Sequence, residues 1–162
     1  MKKCIFAGTF DPPTVGHEDV VLKCAKLFDE VVVAVLTNPQ KQWLFTRAQR
    51  VALLKKLFER QKNVRVRTFD GAAVDLLREE DTAFYVRGVR DTIDFEYENR
   101  NNYASKRLMP ELITLYIPCE QSHLHVSSTL VKNSIKFKKE YADLIPASIL
   151  QDVSALLEER NV

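Results

Sequence analysis

The chain has 162 residues, 46% of them hydrophobic and 28% charged, an ordinary globular composition long enough for one compact domain with a real core. Its 24 Lys and Arg nearly balance 22 Asp and Glu, for a net charge of +2, which excludes the broad basic footprint of a nucleic-acid binder. No apolar run approaches the roughly 20 residues that cross a bilayer, so no membrane partner is expected.

The elements follow in chain order. Met1-Lys2-Lys3-Cys4-Ile5-Phe6-Ala7 is too short in its apolar part for a signal peptide and reads as a first strand, Cys4–Ala7. Further strands are predicted at Val31–Leu36, Val64–Thr68, Phe84–Val86 and Leu112–Ile117. Most of these runs are continuously apolar, the pattern of strands buried on both faces of a parallel sheet. Helices lie between them. Asp19–Phe28 carries Val20, Val21, Ala25 and Phe28 on a helical period. Thr46 is a candidate N-cap for Arg47–Arg60, whose stripe is Val51, Leu54, Leu57 and Phe58. Ala72–Arg78 is a short helix, and Ile93–Leu108 a longer one stopped near Pro110. Ser127 or Ser128 is placed to cap Leu130–Phe137, and Pro146 sits in the first turn of a last helix reaching Glu159. The alternation predicts a Rossmann-like, doubly wound, five-stranded parallel sheet with flanking helices and a C-terminal helix over about 146–160. One domain is expected over 1–162. The three cysteines, Cys4, Cys24 and Cys119, fit neither a metal spacing nor a disulfide framework. They read as small buried hydrophobes in a reducing cytoplasm.

The most informative segment is Gly8-Thr9-Phe10-Asp11-Pro12-Pro13-Thr14-Val15-Gly16-His17, between the first strand and the first helix. Ligands of open α/β sheets bind at the carboxyl ends of strands, where free backbone N–H groups and a helix N-terminus attract anions. Gly8 and Gly16 let a phosphate approach the backbone, Thr9 adds a hydroxyl, and His17 adds an imidazole. Neither Gly-x-Gly-x-x-Gly nor the Gly-Lys-Ser/Thr of a P-loop is present.

This segment resembles the (His/Thr)-x-Gly-His signature of the nucleotidyltransferase superfamily, and its Thr form resembles the bacterial phosphopantetheine adenylyltransferases. Arg87-Gly88-Val89-Arg90, Asp94-Phe95-Glu96-Tyr97-Glu98, Leu108-Met109-Pro110-Glu111 and Val126-Ser127-Ser128-Thr129-Leu130-Val131-Lys132 are similar to further motifs of that family. The resemblance runs from Ile5 to about Ile145. Departures are Ala7 for a common Pro, Thr129 for a common Ser, and the small Ala72-Ala73 pair at the acceptor-binding turn. Asn101-Asn102 and Lys106 fall in a variable part of the helix.

The resemblance implies transfer of the adenylyl group of ATP to 4′-phosphopantetheine, giving dephospho-coenzyme A and pyrophosphate, by in-line attack without a covalent enzyme intermediate. It implies that Thr9, His17, Lys41 and Arg90 serve catalysis. Phe10, Gly88, Val89, Glu98, His123, Leu124, His125, Val126, Ser127, Ser128 and Thr129 join Thr9, His17 and Arg90 in binding ATP. Thr9, Lys41, Ala73 and Arg87 hold the acceptor, with its arm in an apolar groove. His17 is expected to donate to α-phosphate oxygens, and Asp94 and Glu98 share a helix face, where ion pairs to Arg90 or Arg100 are the plain alternative. His123-x-His125 lacks a completing carboxylate or Cys, so no protein-held metal is expected and Mg²⁺ travels with the ATP phosphates. The resemblance also implies a homohexamer and coenzyme A as a feedback ligand. Two other readings remain: a nucleotidyltransferase for a different phosphate acceptor, and a nucleotide-binding homologue without catalysis.

Overall fold

A computed structural model describes residues 1–37 and 42–160. Five strands alternate with helices: β1 (Lys3–Gly8), α1 (Val15–Leu27), β2 (Glu30–Leu36), α2 (Arg47–Leu57), β3 (Val64–Phe69), α3 (Ala73–Glu79), β4 (Phe84–Val89), α4 (Thr92–Leu108), β5 (Ile113–Pro118), α5 (Ser128–Lys136) and α6 (Leu150–Glu159). All strand pairs are parallel, in the order β3-β2-β1-β4-β5. This is the doubly wound α/β sheet expected from the alternation. The order reverses between β1 and β4, so the switch point lies at the carboxyl ends of these two neighbours.

The continuous apolar runs are explained by two cores. Cys4 and Phe6 of β1 and Val31, Val33 and Val35 of β2 face one layer with residues of α1, α2, α5 and α6. Ile5, Ala7, Val32 and Ala34 point the other way, onto Val74, Leu76 and Leu77 of α3, with Met109 and Leu112. Successive strand residues alternate faces, so a strand covered twice is apolar at every position. The last helix seats Val153 and Leu157 in the first of these cores and pairs Asp152 with Lys56 of α2 at 2.6 Å.

Several boundaries differ from the sequence reading, and the caps explain them. α1 begins at Val15, four residues before the expected Asp19, because Thr14 and His17 form a capping box. α2 is capped by Thr46 through a similar box with Gln49 and ends at Leu57 instead of Arg60. α5 starts at Ser128 behind an Ser127 cap. Pro146 precedes a 3-10 turn, Ala147–Ile149, and α6 proper starts at Leu150. β4 runs on to Val89, so Arg87 and Gly88 belong to the strand and do not follow it. The stripe of α2 also hides a charge: Arg50 is buried beside Leu53 and Leu54.

Candidate active site

Thr14, His17, Arg87 and Arg90 meet in one cleft of about 410 Å³ at the switch point, with Gly8, Thr9, Phe10, Gly88, Val89, Asp94, Glu98, His123, Val126, Ser127 and Ser128 also in its walls. The sequence signature around His17 has a local physical purpose. Thr14 Oγ1 accepts from the His17 backbone N–H at 3.4 Å, and the Thr14 backbone N–H donates to His17 Nδ1 at 3.0 Å. Nδ1 is thereby an acceptor, so the proton of the neutral ring sits on Nε2. The Phe10 ring meets the imidazole edge to face at 4.9 Å. Burial, then the charges of Arg90 and Arg87, push the His17 pKa down to about 4. The site holds a neutral imidazole of fixed tautomer with one N–H to give.

The two arginines are both engaged by α4. Arg87 Nε and Nη2 grip Glu98 at 2.7 and 2.5 Å, while Nη1 donates to the Ala7 carbonyl at 3.1 Å and the Tyr85 hydroxyl at 3.0 Å. Arg90 Nε and Nη2 hold Asp94 at 2.8 and 3.2 Å. Glu98 therefore stands against Arg87, with both oxygens taken, and Arg100 is not its partner. Four of the five guanidinium N–H groups of Arg87 are taken by Glu98, the Ala7 carbonyl and the Tyr85 hydroxyl. What faces the cleft is chiefly its remaining N–H and its charge.

The third wall comes from the residues after β5. Ser127 caps α5 by accepting from Leu130 N–H at 3.0 Å. Ser128 Oγ donates to the Pro12 carbonyl at 2.9 Å, tying α5 to the first turn. The N-termini of α1 and α5 both open on the cleft, adding two positive dipole ends. His123 lines the cleft, and its Nδ1 is a buried polar atom without a partner among the described residues. Leu124, His125 and Thr129 are exposed and do not line this cleft. Lys41 lies outside the described residues.

Three features were not anticipated. Asp11 is fully buried; it accepts from the backbone N–H groups of Leu44 and Phe45, each at 2.8 Å, and faces Lys132 Nζ at 3.2 Å. It ties two separate segments, the Leu44–Phe45 chain before α2 and Lys132 of α5, to the first turn. Its family-like Gly-Thr-Phe-Asp-Pro setting was the available signal. Cys119 is not core but a free, half-buried thiol in the cleft wall, and burial raises its pKa and keeps it protonated. Finally, the space beside Ala73 is a separate cavity of about 120 Å³ on the far side of the Arg87–Glu98 pair. Asn101, Asn102, Ser105 and Thr114 line it with Tyr85 and Leu112, so its wall is mixed where an apolar groove was expected. Asn102 Oδ1 accepts from Thr114 Oγ1 at 2.6 Å. Leu76 and Leu77 are fully buried core residues.

Residues 5–134 match the Cytidylyltransferase-like family model. A phosphopantetheine adenylyltransferase from Thermosynechococcus vestitus is 38% identical over 158 residues, covering 98% of this chain and 94% of that protein. The phosphopantetheine adenylyltransferase of Clostridium beijerinckii is 37% identical over 94% of this chain and 96% of its own length. A solved structure of a candidate nicotinate-nucleotide adenylyltransferase from Vibrio parahaemolyticus shares the fold, with a TM-score of 0.68 at 18% identity over 97% of this chain and 99% of that one.

Proposed function

Because the chain belongs to the phosphopantetheine adenylyltransferase family, we propose that it transfers the adenylyl group of ATP to 4′-phosphopantetheine, releasing pyrophosphate and forming dephospho-coenzyme A. The observation that carries this reading is the neutral His17 ring, fixed as the Nε2–H tautomer by Thr14 and set between two arginines and two helix N-termini. A phosphate monoester is already a nucleophile near neutral pH, so the reaction needs alignment and charge stabilisation more than a protein nucleophile. An oxygen of the acceptor phosphate attacks the α-phosphorus, and the bond to the bridging oxygen of pyrophosphate breaks. Nε2–H of His17 donates to the α-phosphate oxygens as charge builds on them. The protonated Cys119 thiol takes no covalent part.

In this reading Thr9 and Phe10 lie where both substrates meet, and Arg90, Ser127 and Ser128 take the ATP phosphates. Gly88, Val89, His123 and Val126 border the nucleoside. Leu124, His125 and Thr129 join them only if ATP draws the segment inward. Arg87 takes the acceptor phosphate at the junction of the two cavities, with Lys41, and Glu98 orients Arg87. The pantetheine arm enters the cavity beside Ala73. Among the described residues no cluster of three or more His, Cys, Asp or Glu is arranged to hold a metal, and Asp94 and Glu98 are committed to arginines. Mg²⁺ is proposed to enter as part of the substrate, on the ATP phosphates. No helix among the described residues is long and apolar enough to cross a membrane; a cytoplasmic site of action is proposed from the family's reaction alone. The large exposed side chains Ile93, Phe95, Tyr97, Tyr103 and Leu108 along α4 support self-association, proposed as a homohexamer, with coenzyme A as a feedback ligand of the same cleft. Incubation with ATP, Mg²⁺ and 4′-phosphopantetheine should yield dephospho-coenzyme A and pyrophosphate in equal amounts. Pyrophosphate formed only with CTP, or only with another phosphate acceptor, would reject the assignment.

A further inference from the structure

Arg50 is the bulkiest of the fully buried side chains and lies outside every motif singled out above. Its guanidinium stacks on Trp43, 4.3 Å from the ring centroid. Nε donates to the Phe45 carbonyl at 3.2 Å, and Nη1 donates to the Thr9 carbonyl at 2.6 Å. Among the described residues no carboxylate lies within ion-pair distance of it, and burial lowers its pKa. An arginine stays charged all the same. A buried cation spent on two backbone carbonyls is costly as mere packing, and one of these carbonyls belongs to the turn that lines the cleft.

The Thr9–Phe10 peptide is the point of leverage. A trans peptide is planar, so its C=O and N–H point in opposite directions. With the Thr9 oxygen held inward by Arg50, the Phe10 N–H faces the other way, toward the cleft that both residues line. That N–H makes no hydrogen bond among the described residues. Phe10 has φ of +49°, a left-handed conformation that a bulky residue adopts only when its surroundings impose it. We propose that Arg50 is a positioning residue for the adenylyl-transfer centre: by clamping the Thr9 carbonyl it aims the Phe10 N–H at a phosphate oxygen of ATP. The proposal rests on the ATP-dependent reaction above. Through Trp43 and Phe45 the same clamp also fixes the chain entering α2, so one side chain ties the first turn to the β2–α2 connection.

The test uses Arg50→Lys and Arg50→Ala in the full chain. Lysine keeps the charge but cannot span both carbonyls, and kcat should fall about 10- to 100-fold in each variant, with KM for ATP and for acceptor changed far less. Guanidinium ion at tens of millimolar should restore part of the kcat of Arg50→Ala, with no gain for His17→Ala and no rise in Tm. In ¹⁵N spectra, adding MgATP should move the Phe10 amide strongly in the wild type and weakly in Arg50→Lys. Wild-type kcat in both variants, or activity lost only in step with the folded fraction and without guanidinium rescue, would overturn the proposal. A Phe10 amide indifferent to MgATP in a wild type that turns over would do the same. If the wild type bound MgATP but made no dephospho-coenzyme A, the functional reading would fall, and the Phe10 response in the two proteins would still decide the role of Arg50.

Discussion

Replacing His17 by Ala removes two things that the structure lets one separate. The first is the Nε2–H donor in the cleft. Loss of a preorganised donor to developing charge costs about 2.7–4 kcal/mol in the transition state, a factor of roughly 100–1,000 in kcat. KM for ATP should change little, because Arg90 and two helix N-termini remain. The second is an acceptor: the Thr14 N–H now bonded to Nδ1 at 3.0 Å would lose its partner at a buried residue. An unsatisfied buried N–H costs about 1–3 kcal/mol, or a fall in Tm of roughly 2–10 °C for a protein this size. His17→Glu supplies the control. A glutamate three residues after a threonine cap accepts the cap N–H, as Gln49 does for Thr46 in α2 at 2.9 Å, but it has no proton to donate. Pyrophosphate release and thermal unfolding should be measured on both variants. The Tm should recover in His17→Glu while kcat stays lost. A kcat within about tenfold of wild type in His17→Ala, or a rise in KM for ATP equal to the loss of rate, would refute a donor role in the transition state.

Other outcomes are as specific. In the free protein, His17 should stay neutral in an NMR titration until the pH nears 4. The unfolded chain binds the extra proton first, near the ordinary value of about 6.5, so the contribution of this ring to stability is complete above that pH and is lost as pH falls from about 6.5 toward 4; a midpoint near 6.5 in the folded protein would contradict the site's electrostatics. Arg87→Ala should raise KM for the acceptor phosphate well above any effect on KM for ATP, and unchanged acceptor saturation would remove Arg87 from that role. A Cβ on Gly88 would come within 3.0 Å of Val20 Cγ2, so Gly88→Ala should destabilise by about 1–3 kcal/mol. Combining it with Val20→Ala should cost less than the sum of the two single changes in chemical denaturation, and strict additivity would place the strain elsewhere.

The cleft was legible in the sequence where the controlling interactions are short in chain distance. Thr14 and His17 are three residues apart and define their own cap and ring tautomer. The apolar runs located the strands, of which the central β1 and β2 are the buried ones, and with them the crossover connections of a parallel sheet. The helix starts were misjudged where cap and first turn were read apart, as at Asp19 against the observed Val15. Arg50 was missed because a stripe of apolar residues on α2 gives no hint that the position beside Leu53 and Leu54 can bury a cation.

By itself, then, the sequence determined the strand–helix alternation and the capped, glycine-flanked turn after β1, since helical period, capping and glycine placement act over a few residues. Tertiary structure alone decided which charges meet. Glu98 pairs with Arg87 and not Arg100 because β4 and α4 present those two side chains to each other, and Thr9 meets Arg50 across 41 positions of chain. Asp11 reaches Phe45 across 34. Such contacts follow from strand order, here β3-β2-β1-β4-β5, which brings distant segments to one edge of the sheet, and no local pattern encodes that distance.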